Sequence, residues 1–149
     1  MCIKKSLFIF SVCFLLIACH KPPFSKNYVD KKGRRQGRWK VFYDAEKHRP
    51  LYKGKYRNGK QVGKFQYFLP DGKLYLQEIT FQKKGFIETK YFHANGKVEL
   101  SGKSKVFENK DTSYYQWSGD WMKYDTLGNL LEIQTYREGQ KIWTKKITQ

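Results

Sequence analysis

The sequence predicts an all-β fold, an elongated single-layer antiparallel meander of repeated β-hairpins that follows an N-terminal signal segment and a short tether. Three observations lead there. Aromatic residues make up 17% of the chain, chiefly Tyr and Phe, and sit in short alternating runs, a composition that suits pleated strands better than helices. Glycines recur at a fixed period, with Gly33, Gly59 and Gly85 spaced 26 residues apart, which marks internal repetition. The stretch Gly59 to Lys84 holds the whole unit: a Gly-x-aromatic opening (Gly63, Phe65), an alternating run to Leu69, a Pro70-Asp71-Gly72 turn, and a second run ending at Phe81. Turn residues between two β-prone runs form a hairpin.

The N-terminus sets the compartment. Lys4 and Lys5 precede an uncharged apolar run from Leu7 to Ala18. Twelve helical residues reach only about 18 Å, against a hydrocarbon core of about 30 Å, so the run is expected to be a secretion signal rather than a membrane span. Leu16-Ile17-Ala18-Cys19 resembles the lipobox of bacterial lipoproteins. That resemblance implies that residues 1–18 are a signal peptide, that Cys19 carries acyl chains as the first residue of the mature protein, and that several chains anchor it stably. His20 stands where an Asp favours retention in the inner membrane, so the expected address is the bacterial cell envelope, at the outer membrane in a Gram-negative source. Residues 19–32 then read as acylated cysteine and tether, with Pro22-Pro23 and no periodicity, and 33–149 as the repeat domain.

With Cys2 and Cys13 in the signal and Cys19 lipidated, the mature chain has no thiol for a nucleophile, a disulfide or a zinc site. Strand pairing and aromatic packing must hold it together.

The repeats organise the domain. The opening recurs as Gly37-Arg38-Trp39, Gly63-Lys64-Phe65 and Gly119-Asp120-Trp121, with a further aromatic three residues on at Phe42, Phe68 and Tyr124. Units are expected at about 33–58, 59–84, 85–107 and 115–143. Alternation puts Trp39, Val41 and Tyr43 on one face and Arg38, Lys40 and Phe42 on the other, so each ribbon has an aromatic side and a basic side. One hairpin is marginal, but consecutive ones share a continuous aromatic face.

These units resemble the MORN-type repeat in its bacterial variant, found in proteins labelled YwqK-family antitoxins. The likeness rests on Gly37-Arg38-Trp39 with Phe42-Tyr43, Gly63-Lys64-Phe65 with Asp71-Gly72-Lys73-Leu74, Asn95-Gly96-Lys97-Val98, and Gly119-Asp120-Trp121 with Gly128-Asn129-Leu130. It covers about 33 to 143 and implies a hairpin array used for contacts. Three departures stand out: Thr89 replaces a repeat glycine, the turn Asp44 to Pro50 has no glycine, and Ser101 to Ser118 reads as an insertion.

Charge is distributed unevenly. His20 to Phe107 carries 22 Lys and Arg against 7 Asp and Glu, a net of +15, whereas Glu108 to Gln149 carries 6 against 6. The basic residues Lys31, Lys32, Arg34, Arg35, Lys53, Lys55, Arg57 and Lys60 are the candidate contacts to an anionic surface near the anchor. Acidic phospholipid or envelope glycan is the matching partner. A basic aromatic sheet would suit nucleic acid, but an exported lipoprotein is not expected to meet it. The competing explanation is a Lys-rich face that keeps sheet edges from pairing with other chains.

No catalytic motif is present: His20, His48 and His93 lie in tether or turns, without a nucleophile or a metal-ligand pattern. No cofactor, metal site or catalytic residue is expected. Tyr114, Tyr115 and Trp117 are candidate partner contacts, although covering the open end of the array is the first expectation for such a cluster. The expected function is a non-enzymatic, membrane-anchored interaction module. The alternative is an antitoxin or immunity protein neutralising a specific toxin, as the family label suggests.

Overall fold

The computed structural model describes residues 27–81, 84–108 and 113–148. The expected signal peptide, Cys19 and the expected tether as far as residue 26 lie outside the described residues. The described chain forms ten strands: β1 (Tyr28–Val29), β2 (Arg35–Phe42), β3 (Pro50–Arg57), β4 (Lys60–Phe68), β5 (Leu74–Phe81), β6 (Phe86–Phe92), β7 (Val98–Glu108), β8 (Ser113–Tyr124), β9 (Leu130–Arg137) and β10 (Gln140–Lys146). They lie side by side in sequence order in a single open sheet, each antiparallel to the next. The expected hairpin meander is what the chain adopts.

Two boundaries differ from those expected. The end of the tether joins the sheet: Tyr28 and Val29 pair with Gln36 and Arg35. Asp30 holds the intervening turn by accepting hydrogen bonds from the backbone N–H groups of Lys32 (2.9 Å) and Arg34 (3.0 Å). The described parts of the segment Ser101 to Ser118, 101–108 and 113–118, form no separate insertion but belong to the two longest strands, β7 with 11 residues and β8 with 12, paired as a hairpin. That hairpin overruns both neighbours, since β6 ends at the Phe86–Lys105 pair and β9 reaches only the Gly119–Tyr136 pair.

A sheet one layer thick has no second layer to bury its aromatics, so the rings lie on the backbone of the next strand. At the β3–β4 border Lys53 pairs with Gln66 and Lys55 with Val62, which leaves Gly63, Lys64 and Phe65 facing Gly54 alone. At the β7–β8 border Ser101 pairs with Met122 and Lys103 with Ser118, leaving Gly119, Asp120 and Trp121 facing Gly102. Gly63 (φ 67°) and Gly119 (φ 70°) take the left-handed conformation that such bulges require. Phe65 and Trp121 are thereby 1% and 0% exposed, the two deepest apolar side chains.

The middle of the sheet breaks this rule. Thr89 stands where the glycine period runs out, and β5–β6 pairs without a register shift from Leu76–Tyr91 to Phe81–Phe86. Neither Glu78 nor Thr89, which face each other there, carries a ring. The aromatic face is consequently divided into two clusters, one of Trp39, Tyr52, Tyr56, Phe65, Tyr67 and Tyr75 and the other of Tyr91, Trp117, Trp121 and Tyr136.

Candidate functional site

The sheet presents two chemically distinct faces, and register decides which side chain belongs to which. On the basic face Arg38 stands directly opposite Lys55, and Lys40 opposite Lys53. Arg57, Lys64, Lys90, Lys103 and Lys105 extend the same side across β3, β4, β6 and β7, all exposed. Like charges directly opposite one another destabilise a sheet, and among the described residues no carboxylate lies within ion-pair distance of Arg38, Lys40, Lys53, Lys55 or Arg57. Aromatic rings share the surface: the ammonium of Lys40 is 4.8 Å from the Phe42 ring centre, that of Lys53 is 5.2 Å from Phe68, and that of Lys103 is 4.9 Å from Phe86. Glu88 offsets Lys103 at 3.8 Å.

The eight basic residues picked out by sequence do not form one patch. Lys53, Lys55 and Arg57 share the basic face. Arg34 is held by Asp30 in an ion pair of 2.8 Å, while Lys31 and Lys32 lie exposed in the same turn. Arg35 belongs to the aromatic face, where its guanidinium lies 5.0 Å from the Trp39 ring centre and 5.2 Å from that of Tyr56. It also donates to the hydroxyls of Tyr52 (3.2 Å) and Tyr56 (3.1 Å). Lys60 pairs with Arg57 beside the hairpin turn.

The three aromatic candidates are also divided. Trp117 stacks on Trp121 at 3.8 Å and 15° and meets Tyr136 edge-on, so it belongs to the packing. Tyr114 stacks on Phe107 at 5.3 Å and remains 47% exposed on the overrunning tip. Tyr115 points to the aromatic face and is 52% exposed. None of the three covers the end of the array: β10 is exposed along its whole length, including Ile142 and Trp143.

Between the two aromatic clusters lies a pocket of about 750 Å³, whose lining includes Tyr56, Gln61, Glu78, Ile87, Val106 and Tyr115. It occupies the place where the ring-on-glycine rule lapses, because Glu78, Thr80, Ile87 and Thr89 supply no large ring. Glu78 is only 6% exposed. Its Oε2 accepts a hydrogen bond of 3.1 Å from the Tyr67 hydroxyl, which in turn accepts one of 3.1 Å from the Gln61 amide. Burial raises the proton affinity of Glu78, and the Tyr67 hydrogen bond opposes that rise. Burial first, then surrounding charge that includes Glu78 in each case, also raises the phenol pKa values of Tyr67, Tyr91 and Tyr115. Directly opposite Glu78 stands Thr89, whose buried hydroxyl has no hydrogen-bond partner among the described residues.

Nothing in the local sequence singles out Glu78, since an acid on a strand is ordinarily a surface charge. The available signal was indirect: the missing glycine at position 89 marks where the repeat stops filling its own face. No family model, curated protein or solved structure matches this chain.

Proposed function

We propose that this chain is a lipid-anchored protein of the bacterial cell envelope whose sheet of MORN-like hairpins is a non-enzymatic interaction module, with its basic face against anionic lipid or glycan. The observation that carries this reading is the facing of Arg38 with Lys55 and Lys40 with Lys53, an arrangement that works against folding and is offset by an anionic partner. Its position suits the anchor. The eight residue steps from Cys19 to Asn27 reach at most about 29 Å, so a chain acylated at Cys19 keeps β2 and β3 within reach of the membrane surface.

Flotation with vesicles tests the reading. Residues 20–149, which lack both the apolar signal segment and Cys19, should float with phosphatidylglycerol vesicles at low salt and not with phosphatidylcholine vesicles, and should be released as salt screens the charges. Equal flotation with both vesicles, or none with either, would overturn the surface reading. In cells, Cys19→Ala should block lipid attachment and signal cleavage, and unchanged processing would sink the anchor.

A further inference from the structure

The pocket on the aromatic face asks for a ligand of the opposite charge from the one that suits the basic face. A buried carboxylate needs a cation or several donors to offset its desolvation. Among the described residues Glu78 receives one hydrogen bond, from Tyr67, and has no ion-pair partner. This happens in a chain with a net charge of +17, where most cations lie on the other side of the same strands, and where Lys60, which lines the pocket, makes no ion pair with Glu78. Thr89, its cross-strand neighbour, leaves its hydroxyl unspent among the described residues. The walls are suited to what the floor lacks: Tyr56 and Tyr115 line the space, the centre of the Tyr56 ring already lies 5.2 Å from the Arg35 guanidinium, and aromatic faces attract cations. Ile87 and Val106 line it as well, so an aliphatic stem would find apolar contact.

We propose that this pocket binds an alkylammonium group, with the cation against Glu78, the Tyr56 and Tyr115 rings beside it, and the stem along Ile87 and Val106. The site does not rest on the envelope reading, for Glu78 faces the opposite side of the sheet from Lys53 and Lys55, and of the candidate basic contacts Lys60 alone lines the pocket. Binding here neutralises the carboxylate without any rearrangement of the sheet. The group can arrive on a lysine side chain or on an aminoalkyl headgroup, and the chemistry that holds it is the same.

Saturation-transfer NMR tests the site directly, with the full-length chain in maltoside micelles, which carry no ammonium group. The probes are n-butylammonium chloride, the neutral n-butanol, Nα-acetyl-lysine amide and glycerophosphoethanolamine. Transfer to butylammonium is expected with none to butanol, and an affinity at least tenfold weaker in Glu78→Gln, which keeps the shape and removes the charge. Glu88→Gln, on the basic face, should leave it unchanged. Lysine amide binding in a Glu78-dependent way identifies a protein source for the group, and glycerophosphoethanolamine binding identifies a lipid source. Equal binding of butylammonium and butanol, equal binding by wild type and Glu78→Gln, or no transfer to any amine would overturn the proposal. The thermal unfolding of Glu78→Gln, recorded alongside, separates loss of the site from loss of the fold, and Tyr115→Leu, which removes only an exposed ring, provides a second variant in which binding must weaken.

Discussion

Phe65 packs its ring so closely on Gly54 of the neighbouring strand that a Cβ at that glycine would stand 2.5 Å from three ring carbons. Trp121 repeats the relationship with Gly102. These two contacts substitute for the second layer that a single sheet lacks. Gly54→Ala and Gly102→Ala should each lower the unfolding free energy by about 1–3 kcal/mol, the usual cost of overpacking, and Phe65→Ala by about 3–5 kcal/mol. Urea denaturation followed by aromatic circular dichroism measures this. A Gly54→Ala variant as stable as wild type would show that the ring has room to move.

The basic face should show a trade-off between stability and binding. Lys53 stands opposite Lys40, and Lys55 opposite Arg38, so Lys53→Glu and Lys55→Glu each convert a repulsive pair into an attractive one. Each should gain about 0.2–1 kcal/mol of stability. Each should also weaken binding to anionic vesicles at least fivefold, since one basic residue near such a surface contributes about 1 kcal/mol. Variants that gain stability and keep full vesicle binding would mean that these lysines serve only as solvated charges.

Glu78 should make stability fall as pH rises. Burial raises its folded pKa above the ordinary carboxyl value, so the folded state holds the proton more tightly than the unfolded chain. Below the unfolded value both states are protonated and nothing is lost. As pH climbs from there through the folded value, the contribution disappears. Glu78→Gln should remove this slope, matching wild type near pH 4 and exceeding it at pH 7. Chemical denaturation at a series of pH values is the check, and parallel curves for the two proteins would refute it.

The aspartate turns should act in the opposite direction. The Asp125 carboxylate accepts hydrogen bonds from the Asn129 side chain at 2.9 Å and from the backbone N–H groups of Asn129 and Leu127, both at 2.8 Å. These bonds, the Asn129 side chain's foremost, hold its pKa below the ordinary carboxylate value. The stability they contribute is present at neutral pH and is lost as pH falls through the folded value. Asp125→Ala should therefore lower the thermal midpoint at pH 7 and bring it towards wild type in strong acid. An unchanged midpoint at pH 7 would remove the turn from the stabilising contacts.

Trp117 and Tyr114 should behave differently although only three positions separate them. Trp117→Ala breaks the 3.8 Å stack on Trp121 and should cost about 3–5 kcal/mol. Tyr114→Ala removes a ring that is 47% exposed and should change stability by about 0.5 kcal/mol or less. A large loss for Tyr114→Ala would show the overrunning tip to be part of the packing.

The order of strands, their antiparallel sense and the two-faced ribbons were legible in the sequence by itself. Alternation and turn residues act over a few positions, and a meander pairs neighbours in chain order. The Gly-x-aromatic openings at Gly63 and Gly119 likewise announced themselves by their spacing. What only the tertiary structure decided is the register in which each strand meets the next. Register put Arg35 among tyrosines while Arg57 went to the other face, drew Tyr28 and Val29 into the sheet, and placed 101–108 and 113–118 in the two longest strands. It also placed Glu78 opposite Thr89, in the gap between two aromatic clusters. Local preference is indifferent to which face a strand shows its neighbour, whereas a shift of one residue inverts that choice. Gly54 beneath Phe65 and Gly102 beneath Trp121 settle it, since those rings fit only where the opposite strand has no side chain.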